Sequence, residues 1–493
     1  MQTLRQHPHI YQLDTLTWLN RLSADSGKNI RLIDVKDHHW KSIRSAGFDL
    51  VWLMGVWERS DDSRLKALSQ PWIRDYFGNF QTDLQNAVQG SPYAVKSYSP
   101  DPRIATTDEL REVRTRINHL GLRLILDFVP NHTSADHAWV QECPDMYVHA
   151  GPESQSAKAF EGFVSGSYKI AFGKDPYFEP WTDTAQLDYR NAQTRSRMTE
   201  VLSDIARLCD GVRCDMAMLI SPDVFLDTWK RVVPEAAEGE FNFWKHAVES
   251  VRNRRKDFVF IGEVYWGRQE EFYEYGFNYC YDKEFYDALK SQGSAELMQT
   301  VRNMNESRRE NGIRFTENHD EERSVAVFGK DKAFAAAAAV WTLPGMRFLQ
   351  DGQKQGCDLR KPVQIAVQKP YKSDDRLKTK YEILLKFADE DVMHEGVFRT
   401  LSTLSGDQKN PVSDGFLAWS WELHGKIRMA VINYSAQTVA GRLPMKIKTS
   451  YTTIEILDLI DGSLYKRDAD QLTSPGLFIQ LNPWQVHLFS FKT

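Results

Sequence analysis

Four short stretches of this chain close an apolar, strand-like run with a carboxylate or an imidazole. They are Leu126-Asp-Phe-Val-Pro-Asn-His132, Gly211-Val-Arg-Cys-Asp215, Ile261-Gly-Glu-Val264 and Glu317-Asn-His-Asp320. Two carboxyl groups held together can cleave an acetal, one protonating the departing oxygen and the other facing the positive carbon that develops. Strand periodicity puts Arg213 and Asp215 on one face and Val212 and Cys214 on the other. A guanidinium beside Asp215 favours its ionised form and does not give up its own proton, which suits a nucleophile. Glu263 follows Phe258-Val-Phe-Ile-Gly and precedes Val264-Tyr265-Trp266. Such an apolar rim pushes a carboxyl toward its neutral form, which a proton donor needs. Taken singly, an Arg-x-Asp is most often a structural ion pair and a rim glutamate a salt-bridge partner, so the reading rests on the set.

These residues need elements that bring them together. Between Thr106 and His132, Thr106 and Glu109 have capping-box spacing, Leu110, Val113, Ile117 and Leu120 form a helical stripe, Gly121 caps it, and Leu122 to Val129 reads as a buried strand. A second unit follows, with a helical face of Met198, Val201, Leu202, Ile205 and Leu208, a turn at Asp210-Gly211 and a strand over 212–215. Leu50 to Leu53, Phe258 to Ile261, Ile313 to Thr316 and Met346 to Leu349 are further strand candidates. Helices alternating with apolar strands indicate an α/β chain with a parallel sheet, either a barrel or a doubly wound sheet. From 133 to 191 that rhythm gives way to Gly, Ser, Pro, Asp and aromatic residues, as expected of an excursion from the sheet's functional end. From Val397 the pattern is β: 416–422 and 427–433 flank His424-Gly425-Lys426 as a hairpin, and 484–491 alternates as a half-buried strand. A C-terminal β-sandwich is expected there.

The composition, 493 residues with 42% hydrophobic and 26% charged, is that of a globular protein of two or three domains. A net charge of -5 gives no footprint for nucleic acid or an anionic membrane, so neither is expected as a partner. No leader-like or bilayer-length apolar run is visible, and the expected location is cytoplasmic. Cys143, Cys209, Cys214, Cys280 and Cys357 lack metal-ligand or disulfide-framework spacing and read as free thiols.

The four segments, in this order, resemble the signature regions of the α-amylase family of glycoside hydrolases, glycoside hydrolase family 13. The resemblance implies a (β/α)8 TIM barrel over 1–132 and 192–396, a small domain B inserted after the third strand over 133–191, and an antiparallel β-sandwich, domain C, over 397–493. By resemblance Asp215 is the nucleophile, Glu263 the general acid and base, and Asp320 the carboxylate that favours the distorted, charge-bearing ring. His132 and His319 match sugar-binding histidines, Asp127 the acid that braces Arg213 and the nucleophile, and Tyr93 in Gly-Ser-Pro-Tyr-Ala the tyrosine beneath the cleaved glucose. The implied function is a retaining α-glycoside hydrolase or transglycosylase acting on short oligosaccharides or small glucosides. An endo-acting α-amylase on longer α-glucans and a noncatalytic carbohydrate-binding or assembly relative are the alternatives. Noncatalytic relatives typically lose one or more of the acids, and all three are present here.

The chain also departs from the family text. Asp215-Met-Ala-Met-Leu-Ile replaces the basic residue and histidine that starch-cutting members carry after the nucleophile, so Met216, Met218 and Leu219 are expected to form an apolar acceptor surface. Ala185-Gln-Leu-Asp188 stands where Pro-Asp-Leu-Asn is common, which displaces a calcium-ligating carboxylate while Asn131 remains. No metal and no cofactor are expected. The segment Phe348-Leu-Gln-Asp-Gly-Gln-Lys-Gln-Gly356 is likewise unusual for the eighth strand.

Overall fold

The structure is a computed structural model, and it describes residues 3–232, 241–405, 415–445, 447 and 449–493. Eight parallel strands close into a barrel in sequential order: β1 (His9–Asp14), β2 (Leu50–Met54), β3 (Arg123–Phe128), β4 (Gly211–Cys214), β5 (Val259–Gly262), β6 (Tyr279–Tyr281), β7 (Gly312–Arg314) and β8 (Met346–Gln350). β8 pairs back onto β1 with His9 opposite Arg347 and Gln12 opposite Gln350. The TIM-barrel expectation therefore holds, and the doubly wound alternative falls because no sheet edge remains open.

Strand periodicity sorts the side chains between two cores. Leu50, Trp52, Met54, Ile125, Ile261, Ile313 and Phe348 fill the barrel interior. Val51, Leu53, Leu124, Leu126, Phe128, Val212 and Phe260 face outward onto the helices. Two such helices are Thr107–His119 and Ala192–Leu208. The first carries the capping box read from its sequence, with the Glu109 N–H donating to Thr106 Oγ1 at 3.2 Å and the Thr106 N–H to Glu109 Oε2 at 2.6 Å.

Two excursions leave the barrel at the C-terminal ends of its strands. After β2, a pair of strands (Trp57–Arg59 and Val95–Pro100) with helices between them carries Tyr93. After β3, His132–Ser134 pairs antiparallel with Thr184–Gln186, and a three-stranded sheet is built from His149–Ala150, Tyr168–Ala171 and Gly162–Ser165.

The C-terminal region has a six-stranded sheet and a three-stranded sheet. Phe416, Met429, Ile456 and Phe489 of the first pack with Val439, Leu443, Ile479 and Leu481 of the second in one core, which makes the expected sandwich. The hairpin turn is tighter than read from sequence: His424 and Gly425, both at positive φ, make a two-residue turn, and Lys426 already pairs with Leu423. Trp419 and Trp421 donate their indole N–H groups to Thr342 Oγ1 and O, both at 2.8 Å, and so fix the sandwich to the barrel.

Candidate active site

Asp127 and Arg213 stand opposite each other on neighbouring strands and point into the barrel. Asp127 accepts from Trp52 Nε1 at 3.1 Å and from the Gly55 N–H at 2.8 Å. Arg213 is 1% exposed and lies over the rings of Trp52, Tyr93 and Tyr281 at 5.2, 5.3 and 5.7 Å. Three ring faces hold the guanidinium by cation–π attraction and keep it flat and immobile.

The chain leaves β4 still in register, the Asp215 N–H donating to Phe128 O at 2.8 Å, which pins Asp215 to the barrel rim. Arg213 Nη1 donates to Asp215 Oδ1 at 2.5 Å, and Arg213 Nη2 contacts Glu263 Oε2 at 2.7 Å. One guanidinium thus spans both carboxylates. Arg213 engages Asp215 Oδ1, and the residue lines the cleft. Burial pushes the Asp215 carboxyl above its ordinary value although Arg213 opposes it by charge and hydrogen bond. Sequence reasoning named Arg213 and overlooked how strongly burial works against it.

Glu263 lies one residue past β5, and its N–H donates to Cys214 O at 3.0 Å. Its Oε2 also accepts the N–H of Met216 at 2.8 Å, and its Oε1 accepts from Tyr265 Oη at 2.6 Å. Met216 adopts φ 42°, a left-handed conformation that turns its N–H toward the acid. Burial raises the Glu263 carboxyl; Arg213 pulls it down, Asp215 and Asp320 push it further up, and the net direction is upward.

After β7, His319 is buried while the Asp320 side chain is half exposed to the cleft. His319 Nε2 lies 3.0 Å from Asp320 Oδ2 and 2.6 Å from Tyr93 Oη, with the Tyr93 ring stacked on the imidazole at 5.5 Å. The Gln12 side-chain amide sits 2.8 Å from Nδ1. Its NH2 nitrogen is the atom set against Nδ1, and it donates there in the tautomer that carries the ring proton on Nε2. Burial would raise Asp320, but the charge and hydrogen bond of His319, then Arg213 and Arg360, hold it down to about 2. His132 packs at a tilt against Trp181, ring centroids 5.1 Å apart, and burial lowers it to about 4 against the opposing pull of Asp183. It is therefore neutral near pH 7, a ring able both to donate and to accept.

Six of these residues, Tyr93, His132, Asp215, Glu263, Asp320 and Tyr265, line one cavity of about 800 Å³. Asp127 and Arg213 lie behind its wall, and His319 borders it through Tyr93 and Asp320. Across His319 lies a space of only about 50 Å³, flanked by the ion pairs Lys361–Asp14 at 2.6 Å and Arg21–Asp351 at 2.9 Å.

The expected acceptor surface is corrected. Met218 and Leu219 are buried, because the chain turns at Met216 into a short 3₁₀ helix (Ala217–Ile220) that packs into the core. Met216 alone of the three reaches the cavity. The apolar wall is instead aromatic, made by Phe178, Trp181 and Trp266. Tyr177 meets the Trp266 ring edge-on at 5.2 Å, and Tyr177 and Phe178 are 72% and 74% exposed. The buried Asp175 presents them, its Oδ1 accepting both of their N–H groups at 2.6 and 2.9 Å. The text Asp175-Pro-Tyr-Phe was the available signal: a turn residue followed by two adjacent aromatics in a loop.

The donor set at the family's calcium position does not fit that cation. Gln186 Nε2 donates to Asn131 Oδ1 at 3.0 Å and to Asn131 O at 2.9 Å, so N–H groups point where a cation would sit. Among the described residues, His9, Asp389 and His394 form the one three-ligand cluster, at the far end of the barrel. Arg347 lies 3.0 Å from His9 Nε2, and Arg5 pairs with Asp389 at 2.6 Å, so that cluster is already served by cations. No helix of the described residues is long and apolar enough to cross a membrane.

Residues 41–393 match the family model of the α-amylase catalytic domain. Among curated proteins, the chain is 24% identical over 309 residues to α-amylase 3 of Dictyoglomus thermophilum, covering 58% of this chain and 57% of that protein. It is 22% identical over 351 residues to probable oligo-1,6-glucosidase 2 of Bacillus subtilis, covering 62% and 61%. The matched region spans about three-fifths or less of the length of these relatives. Among solved structures, the maltogenic α-amylase AmyB of Thermotoga neapolitana shares the fold with a TM-score of 0.70, at 16% identity and 99% coverage of both chains.

Proposed function

The chain belongs to the α-amylase family of glycoside hydrolases, and from that premise we propose that it is a retaining enzyme acting on α-glucosidic bonds of short oligosaccharides or small glucosides. The observation that carries the reading is the Arg213 guanidinium shared by Asp215 and Glu263. One cation in contact with both carboxyls supports the closely spaced pair of a retaining enzyme, about 5–5.5 Å apart, over the wider gap of about 6.5–9.5 Å that admits an activated water. Asp215 Oδ2 attacks the anomeric carbon. The glycosidic bond breaks, and its electron pair stays on the leaving oxygen, which takes the proton of Glu263. Glu263, now ionised, removes a proton from water or a sugar hydroxyl, whose oxygen attacks the same carbon and releases Asp215. Asp320 and His319 bind the hydroxyls of the reacting sugar, Tyr93 lies beneath its ring, His132 holds its other side, and Asp127 braces Arg213.

Two features support short substrates and action at a chain end. The space beside His319 is small, about 50 Å³, and is flanked by ion pairs, which supports a short sugar on that side. The open side presents the aromatic wall of Phe178, Trp181 and Trp266, which suits stacking on the apolar face of one leaving-group ring. The barrel is read as domain A over 1–132 and 192–396, the insertion over 133–191 as domain B, and 397–493 as domain C.

Comparing kcat/KM on maltose, isomaltose, sucrose, trehalose and amylose tests the substrate reading. Higher values on at least one disaccharide than on amylose are expected. A fast viscosity drop of long starch before small products accumulate would refute it in favour of internal cleavage.

A further inference from the structure

We infer that Tyr265 is a positioning residue that selects Glu263 Oε1 as the proton-bearing oxygen and, when the proton leaves, stabilises the negative charge there by donating a hydrogen bond. The inference rests on the assignment of Glu263 as acid and base. It follows from who holds each oxygen. Oε2 accepts the Met216 N–H at 2.8 Å and lies 2.7 Å from the positively charged Arg213 Nη2, and neither group can accept a hydrogen bond. A proton on Oε2 would point at hydrogen atoms and at a positive charge. The acidic hydrogen is therefore confined to Oε1, whose partner at 2.6 Å is the Tyr265 hydroxyl.

A hydroxyl is the side-chain group that can serve both states of this oxygen. With Glu263 neutral, the Tyr265 oxygen can accept from Oε1–H until a glycosidic oxygen takes its place. With Glu263 ionised, the Tyr265 O–H donates to Oε1, as it does in this structure. Burial, then the charges of Glu263 and Asp320, keep the phenol pKa well above its ordinary value, so Tyr265 remains a donor throughout the working range. The bond lowers the Glu263 carboxyl against the burial that raises it. Tyr265 thus makes a raised acid strong enough to give up its proton, and holds the resulting base in place for the second step.

The test uses the full-length enzyme carrying Tyr265→Phe, which keeps the ring against the cavity and removes the hydroxyl. One hydrogen bond to a charged group corresponds to a rise of about one pH unit in the alkaline limb of kcat/KM. Hydrolysis of an unactivated disaccharide should fall about tenfold at neutral pH, whereas release of 2,4-dinitrophenol from its α-glucoside, which needs no proton, should change less than about twofold in its glycosylation step. An unmoved limb, or equal losses on both substrates, would overturn the inference. Should Tyr265→Phe fail to fold, 3-fluorotyrosine placed at position 265, a stronger donor, must move the limb downward; no movement would overturn it. Glu263→Gln separates the underlying reading: it should abolish disaccharide cleavage while sparing glycosylation by the activated substrate. If it loses both equally, the acid assignment fails first; if it behaves as an acid knock-out while Tyr265→Phe changes nothing, only the role of Tyr265 fails.

Discussion

Replacing Arg213 by methionine removes the guanidinium that Asp215 and Glu263 share. Contacts at 2.5 and 2.7 Å put the charge centres roughly 4 Å apart, and at an effective dielectric of about 20 each pair then contributes about 4 kcal/mol to keeping its carboxyl ionised, equivalent to about three pKa units. Burial already raises both acids and Arg213 is the largest influence opposing it on each, so both rise further once the cation is gone. The sign follows from the roles. The nucleophile must be ionised and now keeps its proton to higher pH, so the acid limb of kcat/KM moves up by two to three units; the proton donor also titrates higher, so the alkaline limb follows. Methionine is unbranched and apolar, and it can lie between Trp52, Tyr93 and Tyr281 without leaving a buried charge of its own. The assay is a pH profile from 4 to 10 on an activated α-glucoside, with circular dichroism to show that the variant is folded. An acid limb within half a unit of the wild type, in a folded protein, would refute the electrostatic role given to Arg213.

Chelation with EDTA should leave activity and melting temperature unchanged, because the Gln186 amide donates to the Asn131 oxygens that would face a cation; a fall in melting temperature restored by calcium would show a real site. His7 and His394 lie buried near Arg347 at the far end of the barrel, and burial followed by the Arg347 charge lowers them to about 3 and about 2. Both are neutral when folded and take up protons when unfolded below pH 6.5, so stability is complete above 6.5 and falls by about 1.4 kcal/mol per pH unit for each as the pH drops toward the folded values. His394→Gln should therefore reduce by about one the protons bound on unfolding near pH 5, measured from denaturant midpoints at several pH values; an unchanged pH slope would contradict this.

The barrel was legible wherever an apolar run was bounded by turn residues, as at Leu50–Met54, Arg123–Phe128 and Met346–Gln350. β1 and β6 were not. His9–Asp14 mixes polar residues into its run, and Tyr279–Tyr281 is only three residues long, so neither shows a strand period. The carboxylates and histidines could be read because each follows a strand and the barrel gathers strand ends. What escaped depends on backbone geometry and on contacts between distant segments. The left-handed turn at Met216 sends Met218 and Leu219 into the core and aims an N–H at Glu263, and the aromatic wall joins Phe178 and Trp181 to Trp266, which are far apart in the chain. The bond between Tyr265 and Glu263 was within reach of the sequence, two residues apart, but its meaning depends on Arg213 and Met216 occupying the other oxygen.

The most direct test of the proposed chemistry is to trap the covalent intermediate with 5-fluoro-α-D-glucosyl fluoride and locate the label by peptide mass spectrometry. The proposed mechanism requires one glycosyl unit bound as an ester to Asp215, and requires that Asp215→Asn, folded as judged by circular dichroism, take up none and turn over nothing. Label on any other carboxylate, or substantial activity in the folded Asp215→Asn enzyme, would contradict it.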